Sequence, residues 1–295
     1  MIKIITTADD YGLSSGMNQA MHDLFEKGAL CRASAMATGE ALEAGLARLA
    51  PEHRSRLGAH LCLIEEPPVS PPERIPSLLA TNGRLLPRWQ LIRALLLGQI
   101  NPEHVAREIR AQLARLRDLG LPISHVDSHA HLHVWPTLAP IIREVSLAFE
   151  VHAFRLPLES LSLSWPHALP LGRVPIALAI SACARLSRRH FATPPGRVSD
   201  RFLGLLHSGH MHEQVVETWL IRLKRQARDG STVEIIFHPA YPEALSERIR
   251  LDPEHGQYEF LAETRTLERL PALLADINAR APGPELCLDL PQPLR

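Results

Sequence analysis

Lysine is nearly missing from this chain: only Lys3, Lys27 and Lys224 stand among 32 basic residues. Arginine supplies the rest, which reads as genomic composition before function. Net charge is missing too, because 32 acidic residues balance the basic ones, so no overall field draws the protein to nucleic acid. The four cysteines, Cys31, Cys62, Cys183 and Cys287, form no C-x-x-C pair. That argues against a zinc ribbon or a disulfide framework and for reduced core thiols in a cytoplasmic protein. The longest apolar run, VPIALAISACA at 174–184, has eleven residues, well short of the ~20 that span a bilayer. The opening MIKIITTADD does not match a signal peptide.

What is present is an ordinary globular balance, 45% hydrophobic and 22% charged over 295 residues. Short β-type runs at 2–8, 32–37, 57–63, 123–128, 151–156, 201–206, 232–238 and 285–289 alternate with helical runs at 14–27, 40–50, 102–119, 137–149, 174–190, 211–228 and 263–280. The expectation is an α/β fold, a single (β/α)-barrel domain over 1–295 with seven or eight parallel βα units. Ser14 and Ser15 suit a helix start and Gly28 its end; Asn101-Pro102 opens the next long helix and Gly120 closes it. Residues 64–88 break the rhythm with Pro67, Pro68, Pro71, Pro72, Pro76 and Pro87, and read as an insertion, either a lid or a rigid surface excursion.

The polar chemistry gathers at strand ends. Asp9 and Asp10 close the first strand, His60 lies in the third, His238 ends the strand at 232–238, and SHVDSHAHLH at 124–133 carries four histidines. Sites in such folds form at the carboxyl ends of parallel strands, so these groups can converge. One carboxylate with two imidazoles suits Zn²⁺, Mn²⁺, Fe²⁺ or Co²⁺ and leaves positions open for water and substrate. The second aspartate is then free to act as a base. Plainer readings stand beside this one: a paired Asp as helix cap, His60 as a core histidine, His238-Pro239 as a turn. If the chain stays extended, His129, His131 and His133 share one face.

The pieces TADDYGLSSGMNQAM, LGAHLCL, SHVDSHAHLH, FRLPLE, FLGLLHSGHM and VEIIFHPAYP, in that order from Ile4 to Pro242, resemble the YdjC/ChbG-type carbohydrate deacetylases, whose layout is a distorted (β/α) barrel like that of the NodB-type enzymes. The resemblance implies one divalent metal ion, Zn, Mg, Mn or Co, held by Asp10, His60 and His129. It implies Asp9 as general base, His238 as the acid that protonates the leaving amine, and Arg155 as a substrate-facing arginine. His131 is assigned to the substrate wall and Asp127 to orienting a neighbour at the same site. The chain departs from the family in having Ala240 where a glycine usually follows H-P, which bears on the role of His238. The RLPLE wording and the Pro-rich segment look more like the hopanoid-associated HpnK-like branch, whose implied substrate is a lipid-linked N-acetylglucosaminyl group. In that setting 174–190 can lie on the inner membrane face or serve as an ordinary barrel helix. A chitooligosaccharide or other amino sugar is the alternative acceptor, and a homodimer is left open. A phosphoesterase or amidohydrolase barrel and a non-catalytic sugar- or lipid-binding barrel are the competing classes.

Overall fold

A computed structural model describes residues 1–159, 171–245, 249 and 258–290. In chain order it contains β1 (Ile2–Tyr11), α1 (Ser15–Glu26), β2 (Arg32–Ala35), α2 (Leu42–Arg48), β3 (Leu57–Leu61), α3 (Arg88–Leu96), α4 (Pro102–Asp118) and β4 (Val126–Ser128). There follow α5 (Ala139–Ala148), α6 (Val174–Ala192), β5 (Arg201–Leu203), α7 (Glu213–Gln226), β6 (Thr232–Phe237), α8 (Phe260–Arg280) and β7 (Leu286–Leu288). The sheet runs β4-β3-β2-β1-β6-β5, and every pairing is parallel. β7 pairs with Ile2 to Ile4 of β1, beside the stretch Thr7 to Tyr11 that β2 occupies. A central parallel strand is covered on both faces, and β1 buries Ile2, Ile4 and Ala8 on one face and Thr7 and Asp9 on the other.

The closed barrel of seven or eight units is replaced by a curled sheet that stays open between β4 and β5. Among the described residues, isolated parallel bridges, Val126 with Phe154, Ala153 with Arg197 and Glu159 with Phe202, cross that opening. The run at 151–156 therefore forms no strand: its neighbours meet it at single residues, too few for a ladder.

Helix boundaries follow capping chemistry. Ser14 accepts a hydrogen bond from the Met17 amide at 3.3 Å and Asn101 from the Glu103 amide at 2.9 Å, with Pro102 in the first turn of α4. The core between helices and sheet holds Met17, Met21, Phe25, Trp219 and Phe237.

Residues 64–88 are pinned to α4. The buried carboxylate of Glu108 accepts from the amides of Val69 and Ser70, each at 2.9 Å, and Arg107 donates to the Arg74 carbonyl. α3 follows directly, a helix that the sequence reading had left out.

Candidate active site

β1 carries the site's first surprise at its end. Its register against β2 shifts between Ala8 and Tyr11, and Asp10 takes φ 66°, a left-handed conformation uncommon for a non-glycine residue. This kink sends the two neighbouring carboxylates to different partners. Asp10 Oδ1 lies 3.2 Å from His60 Nε2 and 3.1 Å from His129 Nδ1. Asp9 instead receives both terminal nitrogens of Arg155, at 2.6 and 2.7 Å. Of these five side chains all but His129 are buried.

The ligand-type atoms of Asp10, His60 and His129 fall within 4.8 Å of one another. His60 also donates from Nδ1 to Asp127 Oδ1 at 2.7 Å and turns its other ring nitrogen, Nε2, toward Asp10. A carboxylate behind an imidazole in this way is the usual support of a metal-binding histidine. Burial works against a charged His60, but Asp127, Asp9 and Asp10 outweigh it and push the imidazole up to about 10. The cluster demands positive charge, so its donor set fits a divalent cation.

Behind the cluster sits a fully buried cation. Arg155, without exposed surface, reaches Asp9, Asp127 Oδ2 at 2.6 Å and Glu234 Oε1 at 3.0 Å. Burial raises both Asp9 and Asp127. At Asp127 the Arg155 and His60 charges win and hold it well below the usual carboxylate range, while Asp9 remains raised. Ser34 donates to Asp127 at 2.6 Å, and Arg32 pairs with Glu234 at 2.8 Å. The sequence reading placed Arg155 toward substrate. The structure places it beneath Asp9, away from the cavity wall, because three buried carboxylates from three strands converge on its guanidinium. Asp127 does orient its neighbour His60, but it too lies behind the wall.

The histidine run does not stay extended. Residues 129–134 coil into a short 3-10 segment in which Ala130 and His131 take φ 53° and 54°. The three rings therefore part company. His129 faces Asp10, His131 lines the cavity edge-on to Phe202, and His133 points inward to bond Ser128 and the Arg155 carbonyl. Burial, then the Arg155 charge, keeps His131 neutral; burial brings His133 down to about 4 and His125 to about 3. His125 is structural. It bonds Ser34 and Ser124, and a Cβ at Gly58 would lie 2.3 Å from its ring, so the glycine of LGAHL makes room for it.

A cavity of about 370 Å³ opens over Asp9, Asp10, His60, His129, His131 and His238. His238 stacks edge-on against Tyr258 at 4.9 Å. Below it the fully buried Glu263 accepts the His238 amide and the Met211 amide, and burial pushes this carboxyl up to about 8. The outer walls are apolar: Trp89 and Ile92 of α3, Trp135, and Ile176, Ala177 and Ile180 of α6.

Sequence reasoning missed Glu234, Glu263 and α3. A charge at Glu234 between Val233 and Ile235, in register with His238 four residues on, was the available signal.

A family model described as YdjC-like protein matches residues 3–273. The chain belongs to the YdjC-like family. Among relatives of this YdjC-like protein, the carbohydrate deacetylase of Homo sapiens is 32% identical over 248 residues, covering 82% of this chain and 76% of that one. The carbohydrate deacetylase of Geobacillus stearothermophilus is 29% identical, covering 80% and 79%. The chitooligosaccharide deacetylase of an Enterobacter species is 31% identical, covering 81% of each. A crystal structure from Enterococcus faecalis, of a protein described for cellobiose-phosphate cleavage, superposes with TM-score 0.71 at 18% identity over 93% of this chain and 94% of that one. That likeness speaks for the fold of the YdjC-like chain alone.

Proposed function

We propose that this YdjC-like protein is a metal-dependent carbohydrate deacetylase that hydrolyses the acetamide of an N-acetylated amino sugar. The observation that carries the reading is the division of labour at β1: Asp10 meets two imidazoles while Asp9, one residue away, is clamped by Arg155. The names of the relatives in two kingdoms of life support the reaction class.

Asp10, His60 and His129 would hold the divalent ion. When bound, it polarises the acetyl carbonyl and acidifies a water. Asp9 takes the proton of the attacking water. Its bidentate contact with Arg155 fixes the carboxylate in one orientation, and burial raises its basicity above that of an ordinary aspartate. His238, on the same cavity wall, delivers a proton to the sugar nitrogen as the C–N bond breaks and acetate departs. Glu263 holds the His238 backbone in place. His131, kept neutral, offers the acetamide a hydrogen-bonding wall rather than a charge.

The acceptor in this reading is an N-acetylglucosaminyl group on an apolar carrier, a glycosylated hopanoid. The support is the cavity itself, polar at its floor and lined by indole and aliphatic side chains toward its mouth. The test is acetate release from N-acetylglucosaminyl hopanoid and from diacetylchitobiose, after chelation and after adding back Zn²⁺, Mg²⁺, Mn²⁺ or Co²⁺. Release that needs a metal and favours the hopanoid is expected. Release from neither substrate with any metal sinks the deacetylase reading.

A further inference from the structure

Two helices frame the cavity mouth, and both carry apolar side chains into solvent. Among the described residues, the exposed large hydrophobics other than Met1 and Leu290 all fall on α3 and α6 or the residue after α3: Trp89 (73%), Leu96 (72%), Leu97 (56%), Ile176 (50%), Leu178 (47%) and Leu186 (67%). α3 buries only Leu91, and α6 packs on the body through Ala177, Ala184, Ser187 and Phe191. A helix of a globular protein that is apolar on its outer side is meant to be covered.

Charge says by what. Neither helix contains an acidic residue, while α3 carries Arg88 and Arg93 and α6 carries Arg185, Arg188 and Arg189. A second copy seated by a two-fold axis would set arginine against arginine, because a self-complementary face must supply both signs. An anionic lipid surface meets both features at once: acyl chains accept the leucines, the indole of Trp89 suits the interface, and headgroup phosphates attract the guanidinium groups. The face is also continuous with the chemistry, since Arg88, Trp89 and Ile92 on one side and Ile176 and Ile180 on the other line the same cavity that descends to Asp10. No described helix is long and apolar enough to cross a membrane, so the contact is peripheral.

We infer that α3 and α6 dock this protein on an anionic bilayer with the cavity mouth against the lipid. Sedimentation of the full chain with vesicles tests it, using phosphatidylcholine alone and phosphatidylcholine with phosphatidylglycerol, at low and high salt. The protein should pellet with the anionic vesicles and release as salt rises. The triple substitution Leu96→Glu, Leu178→Glu and Leu186→Glu, at positions outside the cavity lining, should lower vesicle partitioning at least about tenfold. Its acetate release from a soluble N-acetylated disaccharide should match that of the parent chain. Arg185→Glu with Arg188→Glu, which leaves the apolar face intact, should erase the preference for phosphatidylglycerol. Absence of parent binding to either vesicle, or equal binding by both variants, overturns the inference. So does a dimer by light scattering that the triple variant dissociates, since the face would then belong to a second copy. Vesicle binding without acetate release from any substrate would leave this inference standing and defeat the deacetylase reading.

Discussion

The floor and the mouth of the cavity are built on opposite principles. At the floor Asp9, Asp10, Asp127 and Glu234 are buried with Arg155, with Arg32 also paired to Glu234, with the His60 and His129 imidazoles and with a demand for more positive charge. At the mouth there are indole rings, aliphatic chains and guanidinium groups with no acid among them on α3 or α6. The floor draws its precision from charges that have nowhere else to go, since a buried carboxylate must find a partner or a proton. The mouth is non-directional: what it offers a partner is apolar area and positive charge. In the proposed function, chemistry is fixed at one end and the kind of molecule admitted is set at the other.

The sharpest way to break the contrast is to remove the floor's ligands. Asp10→Ala or His129→Ala should abolish both stoichiometric metal, measured by elemental analysis, and turnover; full activity with metal retained in either variant would overturn the assignment. Next in size is Arg155→Met. It leaves Asp9, Asp127 and Glu234 buried without their shared cation, and should cost about 3–5 kcal/mol in denaturant unfolding as well as most activity. An unchanged unfolding midpoint would show that the three carboxylates do not depend on it.

A third prediction concerns Glu263, whose carboxyl moves from its ordinary 4.5 to about 8 in the fold. The folded chain keeps a proton that the unfolded chain has released, so this group costs stability progressively as pH rises from 4.5 toward 8. Glu263→Gln should flatten the melting temperature over that window and stabilise the protein above neutrality by about 1–3 kcal/mol. A pH profile with the parent's slope counts against it. The smallest effect belongs to the wall. Ile180→Ser should weaken KM for a lipid-linked substrate by roughly 1–2 kcal/mol and leave that for a soluble disaccharide alone. An equal change for both would mean that the apolar wall does not discriminate.

How much of this stood in the sequence depends on how local each signal is. The strand ends did, because Asp9, Asp10, His60 and His238 interrupt β-type runs at the position where parallel sheets place their sites. The fate of the histidine run did not. Left-handed backbone at Ala130 and His131 has no glycine or asparagine to announce it, so period-two alternation predicted one face where the chain makes three directions. Arg155 reads as an exposed ligand until β1, β4 and β6 bring their carboxylates around it, a convergence that no short window contains. α3 carries Leu91 inward and little else, so its helical period is faint beside the prolines before it. The open edge between β4 and β5 was hidden for a similar reason: residues 151–156 have strand composition but meet their neighbours one residue at a time.

Arg155 also bears on the order of assembly. Its partners lie 146 and 79 residues away along the chain, at Asp9 and Glu234. No local collapse around SHVDSHAHLH can neutralise the carboxylate at β1, because the guanidinium and its partners come from segments far apart in the chain. The floor thus cannot precede the long-range contacts that assemble the sheet, and whatever pulls β1 away from its neighbours takes the clamp on Asp9 with it.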